Sequence, residues 1–493
     1  PMRRINPKER MFKNRDEEII YTGDRGYKLA DVFENKVKLD DFVAQLSYND
    51  LICMFRGEGM CSPKVTPGTA AAFGGITESL RNFGIPVACC ADGPSGIRMD
   101  CGTNAFSLPN GTALGCTFNV DLVKKLYKMT GIELCRNKID SLLGPGMNIH
   151  RNPLNGRNFE YVSEDPILTG KIGAAQVIGI QEAGSTATIK HVCANNQEAS
   201  RRFVDSIVSE RALREIYLKG FEIAVKEGKA RSVMTTYNPV NGIWTAGSYD
   251  LCTTILRKEW GFDGIVMTDW WAEANTEGEK STRENKAPMV LAQNDLYMCV
   301  SNSLENPEND NVKERFEAGE VTRSDLQRNA KNILKFIMKS QAMLHELNLI
   351  SKEDLEEING QDDDGNISLE DIVYYYADKD SNDIIIDASN FNNKKGDSEV
   401  FGISLNELGL YNIEITMKSE QGSLSQLPLS IYYDNVLKST ITIRGTEGEW
   451  VTESRELGFI FGVNHYIKLY FGASGLDIDK VVIKFMGKGK LPF

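Results

Sequence analysis

The stretch GIVMTDWW, residues 264–271, is an apolar run that ends abruptly on a carboxylate and two indoles. The same pattern recurs along the chain as IPVACCADGPSG (85–96), SLLGPGMNI (141–149), ATIKHVCAN (187–195), SVMTTYNPVNG (232–242) and NDLYMCV (294–300). Most of these runs give way to helix-like text, such as VDLVKKLYKMTGIELCRN (120–137) or SERALREIYLKGFEIAVKEG (209–228). Short apolar strands alternating with amphipathic helices describe an α/β domain built on a parallel sheet. The pattern runs from residue 36 to residue 345, about 300 residues, which suits a (β/α)8-type TIM barrel.

Polar residues gather where these runs end: Asp92, Lys190 with His191, Tyr237 with Asn238, and Asp269 with Trp270. In a barrel such positions share one rim, the face on which active sites are built. A single aspartate after a strand reads as a helix cap. Several polar residues repeated at successive strand ends read as a site.

Composition narrows the partners. Of 493 residues, 41% are hydrophobic and 25% charged, as in ordinary globular proteins, and the net charge is −13. Nucleic acid and anionic membrane select basic surfaces, so neither is an expected partner. Ten cysteines lie between Cys53 and Cys299 with no C-x-x-C spacing, and four histidines (His150, His191, His345, His465) are scattered. Buried free thiols and a reducing, cytoplasmic location are expected, with no metal and no cofactor. Secretion stays open because the chain opens on Pro1 rather than methionine.

Outside the barrel the text changes. Residues 1–35 are polar and charged, the expected linker or remnant of an upstream domain. Residues 346–380 form an acidic linker containing NGQDDDGNISLED (359–371). Aligned on Gly365, Asp362, Asp364, Asn366 and Asp371 have calcium-loop spacing, but the first ligand position is Gly360. A single degenerate copy reads more simply as a solvated acidic turn. From residue 381 to 493, alternating strands such as LYNIEITMKS (410–419) and HYIKLYFGA (465–473) predict a smaller all-β sandwich.

The blocks GPGMNIHRNPLNGRNFEYVSEDPILTG (144–170), IKHVCANNQE (189–198), MTTYNPVNG (234–242) and GFDGIVMTDWWA (261–272) together resemble glycoside hydrolase family 3. ADGPSGIR (91–98) extends the likeness at its start, and NDLYMCV and LQRNAKNIL (326–334) at its end. The resemblance implies retaining hydrolysis, in which a carboxylate attacks the anomeric carbon and water later releases the glycosyl-enzyme. It makes Asp269 the nucleophile, and it makes Asp92, Arg157, Lys190, His191 and Tyr237 sugar-binding residues, with Trp270 offering an apolar face. Glu160 and Glu164 are expected to partner the basic cluster. KHVCANNQE is similar to the β-glucosidase form of the motif, not to the KHFPGHG-like form of N-acetylglucosaminidases. The glycone implied is glucose, xylose or a relative.

Retaining hydrolysis needs a second carboxyl group about 5–5.5 Å from the nucleophile. In related β-glucosidases it comes from another α/β domain, and no such domain or loop is readable in this chain. The resemblance to members with inverted domain order places that domain upstream, or on a partner chain; an unrecognised Glu or Asp here is the competing source. GLYNIEITMKS (409–419), TEGEWVTES (446–454) and GLDIDKVVIKF (475–485) resemble carbohydrate-binding modules of the family 6 and 35 type. The expected function is an exo-acting β-glucosidase, possible as a homo-oligomer, acting on an oligosaccharide or β-glycoside. The alternatives are a β-xylosidase and a non-catalytic sugar-binding barrel.

Overall fold

Eight short strands carry the first part of the chain: β1 (Arg56–Glu58), β2 (Ala71–Gly74), β3 (Val87–Asp92), β4 (Ser141–Leu143), β5 (Thr186–Val192), β6 (Ser232–Thr235), β7 (Ile265–Met267) and β8 (Tyr297–Val300). This computed structural model describes residues 7–59, 62–66, 68–99, 105–276, 278–350, 372–422, 425–434, 436–461 and 463–488. The strands form one nearly closed barrel in the order β8-β1-β2-β3-β4-β5-β6-β7. A parallel bridge, Met267 to Leu296, spans the remaining gap between β7 and β8.

One strand departs from the expected (β/α)8 pattern. β2 runs antiparallel to both β1 and β3, while the other pairings are parallel. A parallel neighbour requires a crossover of a dozen or more residues, usually a helix. The stretch after β1, GMCSPKVTPGTA (59–70), contains two prolines and two glycines, which deny it a helix. Without helix-forming text to carry a parallel crossover, a reversed strand is the pairing this connection allows.

The covering helices follow the apolar period. Val120–Arg136 is capped by the Asn119 side chain and buries Val123, Tyr127, Thr130, Gly131, Leu134 and Cys135, one face at intervals of three or four. Pro166–Glu182 starts with Asp165 as cap and proline in its first turn. Every residue of β5 is buried, so the strand that delivers Lys190 and His191 threads the middle of the domain.

Beneath β7 and β8 lies a buried charge cluster. The Asp295 carboxylate, fully enclosed, accepts from the Val266 N–H (2.9 Å) and Asn332 Nδ2 (2.8 Å) and pairs with the Arg257 guanidinium. Arg257 Nη1 in turn donates to the Gly264 carbonyl at 2.9 Å. Asp295→Ala would strand a buried cation and two donors, and is expected to destabilise the protein by about 3–5 kcal/mol. A urea midpoint lowered with an unchanged m-value would report that loss.

Residues 7–35 are not a free tether. Ile19 exchanges hydrogen bonds with the Gln327 side chain (3.0 and 2.7 Å), and Arg15 pairs with Asp325 at 3.0 Å. Both partners belong to helix Arg323–Ile337, which has a buried face.

Chain contacts divide the protein into two units, Pro1–Arg98 with Ala105–Gly360, and Met99–Asn104 with Gln361–Phe493. The second unit holds a five-stranded and a four-stranded sheet, almost wholly antiparallel. Its strand Tyr374–Tyr376 pairs into the larger sheet ahead of residue 381. Strand Gly409–Lys418 alternates buried and half-buried residues along its whole length, and its Ile413 and Ile415 share a core with Leu429 and Leu469 of the other sheet. The calcium-like positions Asp362, Asp364, Asn366 and Asp371 lie outside the described residues. The described cysteines form no disulfide, and all but Cys116 are buried. No described helix is long and apolar enough to cross a membrane.

Candidate active site

The strand ends converge. Lys190, 3% exposed near the end of β5, donates from Nζ to Asp92 Oδ1 at 2.7 Å, across from the end of β3. The same ammonium lies 3.5 Å from Glu160 Oε1. Glu160 is gripped by Arg157 through two parallel bonds, Nε to Oε2 at 2.6 Å and Nη2 to Oε1 at 2.9 Å. Acid and base therefore alternate from Asp92 through Lys190 and Glu160 to Arg157. Burial alone would raise both carboxyls; Lys190 above all, with Arg157, overrides it and holds both below the usual carboxylate range. Burial would likewise strip the Lys190 proton, but Asp92 and Glu160 raise its affinity for it. The side chain of Asp92 is 41% exposed against 4% for that of Lys190, so the carboxylate has an open side to offer a ligand.

Asp269 stands just past β7 and is 8% exposed. Its Oδ1 accepts from the Trp270 N–H at 2.8 Å, its Oδ2 lies 3.5 Å from His191 Nε2, and the Tyr237 side chain hydrogen-bonds to it. Burial pushes its carboxyl above the ordinary value, although Arg157, the Trp270 N–H, Lys190 and Tyr237 pull the other way. His191 is driven well below its ordinary value by burial first, then by the cations Arg157, Lys190 and Arg201. It is a neutral imidazole, so its contact with Asp269 is not an ion pair. Asn148 locks its backbone on both sides, accepting from the His191 N–H and donating to its carbonyl, each at 2.9 Å.

Tyr237 follows β6 and is 6% exposed. The guanidinium carbons of Arg201 and Arg202 both lie 4.8 Å from its ring centroid. Arg201 is paired with Glu198 at 2.8 Å, and Arg202 donates to the Trp271 carbonyl at 3.2 Å. Trp270 packs within the barrel core at 9% exposure, whereas its neighbour Trp271 is 37% exposed.

Asp92, Arg157, Lys190, His191, Tyr237 and Asp269 are thus linked through direct contacts and shared electrostatics around one strand-end cluster. Glu160 partners the cations as expected. Glu164 does not; it lines a separate cavity of about 540 Å³ with His150, Phe118 and Phe159. Sequence reasoning passed over Asn148, Arg201 and Arg202. Asn148, in the GMNIH stretch that follows β4, had a positional signal; the arginines, on a loop beyond NNQE, had none.

Residues 64–336 match the N-terminal domain of glycosyl hydrolase family 3. Over 484 residues the chain is 50% identical to a β-glucosidase of Ruminococcus albus, which covers 98% of this chain and 50% of that relative. The crystal structure of a β-glucosidase from Paenibacillus barengoltzii superposes with a TM-score of 0.69 at 46% identity, over 98% of this chain and 51% of that one. That of β-glucosidase 3B from Thermotoga neapolitana in complex with glucose gives 0.56 at 37% identity, over 63% of this chain and 44% of that one. This chain spans about half the length of these relatives. A barrel of this order, polar residues clustered at its strand ends and a family match across most of that barrel lead to one assignment: the chain belongs to glycosyl hydrolase family 3.

Proposed function

We propose that this chain carries the glycone-binding and nucleophile half of a retaining, exo-acting β-glucosidase. The supporting observation is the setting of Asp269: a buried carboxylate with no cation among the described residues directly paired to it, held by the Trp270 N–H and Tyr237 beside the Asp92–Lys190–Glu160–Arg157 chain. A nucleophile must be fixed in direction yet not neutralised by a tight ion pair. Asp92 accepts hydrogen bonds from two sugar hydroxyls, and Lys190, Arg157 and His191 donate to others. Tyr237 steadies the attacking oxygen, and Trp270 backs the site from the core. Asp269 then forms a bond to the anomeric carbon as the glycosidic oxygen departs with a proton from a general acid. Water, deprotonated by the same group, attacks that carbon and releases Asp269.

The general acid/base comes from an upstream domain or a partner chain. Of the carboxylates nearby, Asp92 and Glu160 are each tied to a cation and held below the usual carboxylate range, the wrong state for donating a proton. Residues 36–345 form the catalytic barrel, and residues 381–493, joined by strand Tyr374–Tyr376, a sandwich that resembles a carbohydrate-binding module.

Incubation with a 2-deoxy-2-fluoroglucoside bearing a dinitrophenyl leaving group tests this reading, because such a leaving group needs no acid. The expected result is a covalent fluoroglucosyl adduct on the peptide containing Asp269. Sugar binding without any adduct would instead establish a non-catalytic barrel. The labelling rate should fall as pH falls through the Asp269 pKa, since only the carboxylate attacks. Burial raises that pKa, so the acid limb should lie above the value of about 4 usual for an aspartate.

A further inference from the structure

Lys286 immediately precedes helix Ala287–Ala292 and is completely buried, yet among the described residues it forms no ion pair with a carboxylate. Its ammonium makes two contacts. Nζ donates to the Ala272 carbonyl at 3.2 Å and sits 3.6 Å from the centroid of the Tyr297 ring. The backbone around it is anchored, because the N–H groups of Lys286 and Ala287 both donate to Asn311 Oδ1, at 3.0 and 3.1 Å. Enclosing an ammonium costs several kcal/mol unless its contacts offset the lost water. A ring face and one carbonyl are a spare set of partners, so what that carbonyl belongs to matters.

Ala272 closes the turn that Asp269 opens. The Ala272 N–H donates to the Asp269 carbonyl at 3.3 Å, and the Trp271 N–H donates to the Met298 carbonyl on β8 at 2.7 Å. One side of the turn is thus held by β8 and the far end by Lys286. We propose that Lys286 is a positioning residue, fixing the turn that aims the Asp269 carboxylate by holding the Ala272 carbonyl over the Tyr297 ring. This rests on the reading of Asp269 as nucleophile.

The charged groups that act on Lys286 are Glu308 and Asp310 from the segment after β8, and Glu284 and Arg283 just before it. Burial lowers its pKa to about 7; Glu308, Asp310 and Glu284 oppose the fall and Arg283 deepens it. Loss of the proton weakens both the bond to Ala272 and the cation–π contact. The turn should therefore loosen as pH rises through neutrality.

The test compares labelling of Asp269 by the 2-fluoroglucoside across pH in wild type, Lys286→Met and Tyr297→Leu. Wild type should show an alkaline limb near neutrality. Lys286→Met should lack that limb and react about tenfold more slowly at pH 6, with the inhibitor's binding constant and thermal unfolding cooperativity retained. A folded Lys286→Met that labels at the wild-type rate and with the wild-type pH profile overturns the proposal. Should Lys286→Met not fold, Tyr297→Leu decides: losing the ring disfavours the ammonium, so its alkaline limb moves to lower pH, and an unmoved limb overturns the proposal. No adduct in wild type overturns the nucleophile reading and this inference with it; an adduct with unmoved profiles overturns this inference alone.

Discussion

Asp269→Ala should abolish the glycosyl-enzyme and slow turnover of a dinitrophenyl glucoside by about 10⁴-fold or more, as expected when a nucleophile is removed outright. Asp269→Asn, which removes the charge but fills the same space, should gain stability. Burial raises the Asp269 pKa, so the ionised carboxylate is a cost to the folded state at every pH above that pKa. The cost fades as pH falls through it towards the unfolded value of about 4. At pH 7 the variant should therefore unfold at a higher temperature than wild type, and at pH 4 that advantage should be gone. For Asp269→Ala, azide supplies the decisive control. The cavity left by the carboxylate admits a small anion on the same face of the sugar, and azide attacking there forms α-glucosyl azide, the inverted product. Restored release of dinitrophenol with that product identified by NMR would confirm the role; restored release with a β-azide would sink it.

The second large effect is at Lys190. Lys190→Met keeps an unbranched side chain one atom shorter but leaves Asp92 without its ion-pair partner and Glu160 with Arg157 alone. Deleting one member of a fully buried pair costs about 3–5 kcal/mol; the loss here should be smaller, because the half-exposed Asp92 carboxylate can be rehydrated. Denaturant unfolding should show that loss. Lys190→Met combined with Asp92→Asn should recover part of it, since the stranded charge is then gone. Glucose binding, read by competition against labelling, should not recover, because both hydroxyl-binding groups are missing. A double variant no more stable than the single one would mean that the Asp92 contact carries little of the energy.

Both residues could be read in advance as strand-end positions. Asp269 ends an apolar run, and an abrupt switch from strand to polar text is local information. The same holds for Asp92, Lys190, His191 and Tyr237, each placed by counting to the end of its own strand. Their mutual contact was only implied by the barrel rule, yet the 2.7 Å Lys190–Asp92 bond joins residues 98 positions apart. Trp270 was harder. Adjacent tryptophans carry no local mark of which faces inward; the turn at Asp269, not the alternation of a strand, buries Trp270 and leaves Trp271 outside.

The alternation of strands and helices and the polar residues at strand ends were legible in the sequence alone, because apolar period and turn chemistry act over a few residues; Asp269 as candidate nucleophile rests on the family resemblance of its motif. Tertiary structure decided the rest. The reversal of β2 depends on which neighbour a four-residue strand can reach. The neutral state of His191 depends first on the burial of its ring and then on the cations Arg157, Lys190 and Arg201 that folding leaves around it. Lys286 reads in sequence as an ordinary solvated lysine before a helix, and becomes a buried clamp only when β8 and the Asp269 turn close over it. Proton affinity and burial are set by what folding brings close, and no local pattern encodes them.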